Sequence, residues 1–341
     1  MDSAQIKTEV WTPKSPEFEL GPAITEAINE INAQDPNKLI EGLEEKIQKS
    51  ENGIRFAVLD GNRPDEYSHT DALVMFNPFA NAATDNMLVR AEFIRLVAKH
   101  EDVRDDSGKL KPVVMLASPG LGGSKVRLSR EEIDEVVAGE LGPVARDMLH
   151  AVSELEVGRV ALLGFSQGAD MAIAGARHGY SANLDTNSVA IGDPAGIAER
   201  GAMSLGLDFM KSGGMKEVVQ ANGIDAQKIA LGFGYGNQDF MLGFVPSALF
   251  SRTNHYIWQA LGNNSFERHI QQILDEGKVR KLVIGYGNES AIAQPAKIEP
   301  IISSFDTDQP ISVTSIKVES ARHTWGDNLA LLAKLYMRAV V

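Results

Sequence analysis

The residues with the clearest capacity for chemistry lie at positions 164–168, which read Gly-Phe-Ser-Gln-Gly. In the Gly-x-Ser-x-Gly pattern, a serine occupies a sharp turn between a strand and a helix and presents its hydroxyl at the tip. The neighbouring segments fit that context, because the apolar run 159–163 is typical of a buried strand and the small-residue stretch 169–176 is typical of a helix. The pattern therefore predicts that Ser166 is a nucleophile, and the alternative is a glycine-rich turn with an incidental serine.

A serine hydroxyl is a weak nucleophile at neutral pH and needs a base within hydrogen-bond reach. Histidine is the usual base because its pKa lies near the working pH. Of the seven histidines, His178 follows on the same helix as Ser166, about 18 Å of helical rise away, which is too far. The others lie at helix ends, before a strand or in a segment without clear strands: His69, His100, His150, His255 and His269. His323 alone follows a late strand and is the predicted base.

The elements that must position these residues alternate along the chain. Strand-like apolar runs occur at 54–59, 72–76, 113–117, 159–163, 188–191, 281–284 and 311–318, with helical patterns between most of them. Such alternation predicts an α/β fold with a mostly parallel sheet covered by helices on both faces. Two helix-like stretches, 22–32 and 36–49, precede the first strand, so residues 1–51 are expected to form an N-terminal helical extension.

Composition restricts the partners. The 341 residues include 33 Lys and Arg against 46 Asp and Glu, a formal net charge of −13, which disfavours binding to nucleic acid. No apolar run approaches the ~18 residues of a membrane span. The N-terminus has no recognisable secretory signal, so a cytoplasmic location is expected, although a trimmed secreted chain would look the same. The absence of cysteine excludes disulfides and thiolate chemistry. Neither a metal nor a cofactor is expected.

Taken together, the landmarks resemble the α/β-hydrolase fold family over roughly residues 52–341. Besides the serine turn, they are the loop 77–81, the turn 119–124 and the segment 320–323 after the last strand, where the family places its histidine. The resemblance implies an eight-stranded sheet whose second strand is antiparallel, built from residues 52–195 and 278–341. It also implies a helical cap insertion over 196–277. The loop at Asn77 departs from the family, because it lacks the usual His-Gly pair.

The resemblance also implies a carboxylate that fixes the histidine tautomer and stabilises the imidazolium. The favoured position follows the strand 281–284, where Glu289 is the acid available. Asp193, after the preceding strand, occupies a position that some lipases use, and Asp306 and Asp308 come later in a polar loop. Glu289 is the preferred acid and Asp193 the second choice.

An oxyanion formed during acyl transfer needs two backbone N–H donors. Gln167, directly after the serine, is predicted to supply one, and Phe79 the other, with Ala80 as the second choice. Pro78 has no N–H and cannot serve.

These residues predict a serine hydrolase that acts on a small-molecule ester or acyl substrate through a Ser166–His323–Glu289 triad. The alternatives are a non-catalytic binding or scaffold protein on the same fold, or another reaction there: amide, thioester or peptide hydrolysis, or cofactor-free peroxidation. The sequence does not predict the oligomeric state.

Overall fold

The structure is a computed structural model that describes most of the chain. The described residues are 6–61, 63–77, 84–120, 124, 127–201, 204–205, 208, 251–305 and 311–341. Within them, nine strands form one sheet covered by helices on both faces. The α/β class and the mostly parallel sheet predicted from the sequence are confirmed.

The strands of the sheet are β1 (Ile6–Trp11), β2 (Ile47–Lys49), β3 (Arg55–Leu59), β4 (Asp71–Phe76), β5 (Val113–Leu116), β6 (Arg159–Phe165), β7 (Asp185–Gly192), β8 (Lys281–Gly287) and β9 (Ser312–Val318). Their spatial order is β1-β9-β8-β7-β6-β4-β5-β3-β2. Strand β3 is antiparallel to both of its neighbours, and every other pair is parallel. The carboxyl ends of β6, β7, β8 and β9 therefore meet at one edge of the sheet.

The helices are α1 (Pro22–Asn32), α2 (Pro36–Glu44), α3 (Thr84–His100), α4 (Arg130–Val137), α5 (Gly142–Ser153), α6 (Gln167–His178), α7 (Arg252–Gly262), α8 (Ser265–Glu276), α9 (Pro295–Ser303) and α10 (Leu329–Val340). Helices α1, α2, α3 and α10 cover one face, and α5, α6 and α8 cover the other. Among the described helices, none combines the length and the apolar character needed to cross a bilayer.

Central strands are buried on both faces, which explains why they appear in the sequence as unbroken apolar runs. In β4, Val74 and Phe76 pack into one hydrophobic core while Leu73 and Met75 pack into the other. Successive side chains of a strand point to opposite faces, so each strand contributes to both cores.

Strand β1 adds a ninth strand to the eight that were expected, and β1 and β2 together correct the expectation of a helical N-terminal extension. The first predicted helix matches α1, but the second ends at Glu44 and the chain then enters β2. Strand β1 was missed because it is an edge strand with polar residues interspersed, Ile-Lys-Thr-Glu-Val-Trp, and only Trp11 is buried. It pairs in parallel with β9.

The predicted cap, 196–277, falls largely on residues 209–250, which lie outside the described part of the chain. The described end of this segment forms α7 and α8. Phe266 and Ile270 of α8 belong to the same hydrophobic core as α6, so α8 contributes to the helical layer on the sheet. The cap itself stays a prediction.

Candidate active site

Ser166 occupies a sharp turn between β6 and α6, the context typical of the Gly-x-Ser-x-Gly pattern. Its backbone has φ 56° and ψ −127°, a conformation that costs a non-glycine residue on the order of 1–3 kcal/mol. A Cβ atom at Gly164 would overlap the carbonyl of Gly168, and one at Gly168 would overlap the carbonyl oxygen of Phe76. Glycine is therefore required on both sides of the turn, which leaves the serine hydroxyl at the carboxyl edge of the sheet.

His323 lies in the 3₁₀ turn that follows β9. Its Nε2 atom is 2.8 Å from Ser166 Oγ. The imidazole is 3 % exposed and packs beside Phe165, with ring centroids 5.5 Å apart. Phe165 in turn meets Trp325 edge-on at 5.2 Å. Phe165, itself supported by Trp325, thus packs against a histidine that is within reach of the serine proton.

Asp193 directly follows β7, and its fully buried carboxylate binds the other nitrogen of His323. Its Oδ2 atom is 2.5 Å from His323 Nδ1 and accepts the Ser290 hydroxyl at 2.5 Å. Its Oδ1 atom accepts the Gly287 N–H at 2.8 Å and the Trp325 Nε1–H at 3.2 Å. Because all four partners can donate, the site suits an ionised carboxylate that keeps a proton on Nδ1 and leaves Nε2 free to accept one.

Glu289, the acid that the sequence analysis preferred, is not the partner of His323. Its side chain is 52 % exposed and lies 3.9 Å from the Arg322 guanidinium. The turn after β8 is tied to the chain leaving β9, because the Glu289 N–H donates to the carbonyl of Ala321 at 2.9 Å. This bond leaves the Glu289 side chain at the surface. The second choice, Asp193, takes the position instead, and residues 306 and 308 lie outside the described part of the chain.

The order of these residues along the sheet identifies the fold. From β2 to β9 the sheet has eight strands, of which only the second runs antiparallel to the others. Ser166 follows the fifth of these strands, Asp193 the sixth and His323 the eighth. The chain has the α/β-hydrolase fold. In this chain the acid follows the strand before the penultimate one, and β1 extends the eight-stranded sheet at the β9 edge.

The oxyanion donors expected for an α/β-hydrolase fold are only partly within the described residues. Gln167 is the first residue of α6, so its N–H has no carbonyl partner inside the helix. Phe79 and its alternative Ala80 lie outside the described part of the chain and stay predictions. Their loop begins beside the serine turn, since a Cβ atom at Gly168 would lie 3.0 Å from the carbonyl carbon of Asn77.

An arginine whose side chain is 7 % exposed joins the loop after β7 to the loop after β8. Arg200 donates to three main-chain carbonyls, those of Ala195 (3.0 Å), Ala291 (3.0 Å) and Ile292 (2.6 Å). Asp208, 3.2 Å from the guanidinium, supplies a counter-charge. The first loop carries Asp193 and the second carries Ser290, so the arginine holds together the two segments that meet at the carboxylate. The sequence analysis missed Arg200, because its partners are main-chain groups that leave no sequence pattern.

Asp170 anchors the same loop to α6, one helical turn after Ser166. Its carboxylate is fully buried and accepts the N–H groups of Ala195 at 2.8 Å and Gly196 at 3.1 Å, and the Ser265 hydroxyl at 3.1 Å. Burial raises the pKa of Asp170 to about 6, although these hydrogen bonds act to lower it. The helix that positions the serine is therefore linked to the loop that positions the acid.

No protein-family model and no curated protein sequence matches the chain. Several solved structures are similar to it at low sequence identity. A carboxylesterase structure from the thaumarchaeon Nitrososphaera gargenis is 12 % identical, with a TM-score of 0.47 over 81 % of this chain and 90 % of that one. The enol-lactonase of Burkholderia xenovorans LB400 is 13 % identical, with a TM-score of 0.48 over 84 % and 96 %. A hydrolase from Pseudomonas aeruginosa PA01 is 15 % identical, with a TM-score of 0.47 over 85 % and 97 %.

Proposed function

We propose that this chain is a serine hydrolase that cleaves carboxylic esters through an acyl-enzyme intermediate. The observation that supports this function best is the buried series of hydrogen bonds from Ser166 Oγ to His323 Nε2 and from His323 Nδ1 to Asp193 Oδ2. The same three residue types in the same roles perform acyl transfer on several unrelated folds. The proposal therefore rests on the geometry of the site rather than on the fold, which by itself does not imply an activity.

In the acylation step, His323 Nε2 takes the proton of Ser166 as Oγ attacks the ester carbonyl carbon. The carbonyl oxygen becomes an oxyanion, which we expect the N–H groups of Gln167 and Phe79 to bind. Asp193 stabilises the imidazolium that forms. The carbon–oxygen bond to the leaving group then breaks, and the alcohol leaves with the proton held by His323.

In the deacylation step, water replaces the alcohol. His323 takes a proton from the water as its oxygen attacks the acyl carbon, and the proton returns to Ser166 Oγ as the carboxylic acid is released. No external cofactor is needed, because every proton is held by His323 or by the substrate.

Covalent labelling tests the nucleophile without knowledge of the natural substrate. A fluorophosphonate should form one adduct, located at Ser166 by peptide mass spectrometry, because the reaction needs an activated serine hydroxyl. The Ser166→Ala variant should not react. A wild-type chain that stays unlabelled would contradict the proposal and favour a non-catalytic binding protein.

Turnover of short p-nitrophenyl esters tests the substrate class. Ser166→Ala and His323→Ala should each lower kcat by roughly 10⁴–10⁶, since residues that act as a unit fail together. His255→Ala is the matched control, because His255 is exposed on α7 and should be replaced without loss. A labelled serine without ester turnover would instead favour amides, thioesters or peptides.

A further inference from the structure

Strand β1 has one neighbour in the sheet. It pairs in parallel with β9 over Ile6–Trp11, and in the described part of the chain no strand pairs with its other edge. An unpaired edge presents N–H and C=O groups that another strand can bind, and proteins usually cover or disrupt such an edge. Here the strand spans six residues, contains no proline and has no bulge against β9.

The direction of the backbone N–H and C=O groups defines which residues of β1 can bind a further strand. The Trp11 carbonyl accepts the Glu319 N–H at 2.8 Å, so Trp11 faces β9. Because alternate residues of a strand direct their N–H and C=O groups to the same side, Lys7 and Glu9 also face β9. The backbone groups of the intervening residues face outward: Ile6, Thr8 and Val10.

These outward-facing residues are self-complementary about Thr8. In an antiparallel pair of two β1 strands centred there, Thr8 lies opposite Thr8 of the partner subunit, and Ile6 lies opposite Val10 of the partner subunit. Such positions exchange two hydrogen bonds each, so the three pairs would provide about six. The pairing also covers Val10, which at 58 % exposure is one of two large apolar side chains exposed among the described residues.

The charges on β1 fit the same register. Lys7 and Glu9 flank the centre, so Lys7 lies opposite Glu9 of the partner subunit, and the reverse pair forms on the other side of the two-fold axis. Both occupy non-hydrogen-bonded positions, where facing side chains are closest and opposite charges stabilise the pair. The Lys7 side chain is 66 % exposed and lies 2.8 Å from Glu9 of its own chain, so in the dimer it would lie between two Glu9 carboxylates.

We propose that β1 pairs antiparallel with β1 of a second copy of this chain, with the two-fold axis at Thr8, and that the sheet continues through both subunits. The interface is isologous, so each subunit uses the same strand and the assembly closes as a dimer. This inference is independent of the proposed function, because it uses none of the residues of the candidate active site.

Light scattering and sedimentation of the full chain test the oligomeric state. The mass of the wild-type protein should rise with concentration and reach twice the 36.9 kDa of one chain. Thr8→Pro should be monomeric, because proline removes an outward N–H and leaves the β1–β9 bonds in place. Thr8→Val retains the N–H and should remain a dimer. A wild type that is monomeric at 100 µM, or a Thr8→Pro chain that dimerises like wild type, would overturn the proposal.

A charge exchange tests the register without a proline. Lys7→Glu places like charges opposite each other twice per dimer and should raise the dissociation constant about tenfold. Lys7→Glu combined with Glu9→Lys restores opposite charges and should bind more tightly than Lys7→Glu alone. Glu9 also contacts Arg338 at 3.2 Å, so the comparison is made between these two variants rather than with wild type. A double variant no tighter than Lys7→Glu would overturn the register.

Crosslinking identifies the edge that pairs. The chain contains no cysteine, so Thr8→Cys introduces a single thiol, and two such thiols would lie opposite each other in the dimer. A short bismaleimide should link them efficiently. Lys49→Cys, on β2 at the opposite edge of the sheet, is the matched control and should not crosslink. Crosslinking of two Lys49→Cys chains would overturn the proposal in favour of another interface. A Thr8→Cys chain that crosslinks to an added second protein but not to another copy of itself would overturn it in favour of another partner.

Discussion

Replacing Asp193 by asparagine removes one charge from the site while almost preserving its shape. The carboxylate accepts from four donors, two at each oxygen. An amide has one oxygen and one NH₂ group, so it can accept at only one of the two positions. If NH₂ took the place of Oδ1, it would face the Gly287 N–H, and the buried unsatisfied donors would cost about 1–3 kcal/mol. The oxygen should therefore replace Oδ1, and NH₂ should face His323.

That orientation reverses the histidine tautomer. Nδ1 must accept from the amide, so the proton moves to Nε2, which then cannot take the proton of Ser166. The expected fall in kcat is about 10⁴, the scale associated with loss of a triad carboxylate whose geometry is kept. At about 1.4 kcal/mol for each factor of ten, this fall corresponds to roughly 5.5 kcal/mol of lost transition-state stabilisation.

The assay compares kcat/KM for a short p-nitrophenyl ester, together with the rate of fluorophosphonate labelling, which does not depend on the correct substrate. Glu289→Gln is the matched control, because it also neutralises a carboxylate on an adjoining loop, and it should stay within about twofold of wild type. Circular dichroism at 25 °C confirms that both variants are folded. If Asp193→Asn kept more than a tenth of wild-type activity while Glu289→Gln lost most of it, the assignment of the acid from the structure would be refuted.

Two further predictions concern stability. His269 Nε2 accepts the Leu141 N–H at 3.0 Å, and burial lowers the pKa of His269 from 6.5 to about 4. As pH falls from 6.5 to 4, the unfolded chain therefore binds a proton at His269 that the folded chain does not, and the free energy of unfolding should fall by roughly 3 kcal/mol. In His269→Gln, the free energy of unfolding measured in urea should depend less steeply on pH. An unchanged pH dependence in that variant would contradict the argument. Gly168→Ala should lower the thermal unfolding midpoint sharply, because the new Cβ would overlap the Phe76 carbonyl oxygen. Gly42→Ala, in open space on α2, should instead raise the free energy of unfolding by up to about 1 kcal/mol. Equal midpoints for the two variants would refute the packing argument.

Strands buried on both faces could be predicted from the sequence, and edge strands could not. The apolar runs of β4, β6 and β8 reflect burial between two helical layers, so composition alone identifies them. Strand β1 forms because β9 offers it a partner about 300 residues away, and its own residues carry little hydrophobic signal. Strand β2 has only three residues, too few for any periodicity to appear.

The same distinction between local and distant determinants applies to the site. Ser166 could be predicted because the turn that holds it is encoded by its immediate neighbours. His323 could be predicted from its place after the last strand. The acid could not be chosen in this way, because Asp193 and Glu289 both follow strands of the same sheet edge. What separates them are donors from other segments, Ser290 and Trp325, which converge on Asp193 only after folding.

The pairing of β1 with β9 has a consequence for folding during synthesis. Ile6 lies opposite Val313, so β1 has no partner in the sheet until about 300 further residues have been made. At about 5–20 residues per second, the ribosome needs roughly 15 to 60 s to synthesise the intervening segment. During that time β6, β7 and β8 can already pair with one another. Strand β1 is therefore made before the other eight strands of the sheet and is among the last to join it.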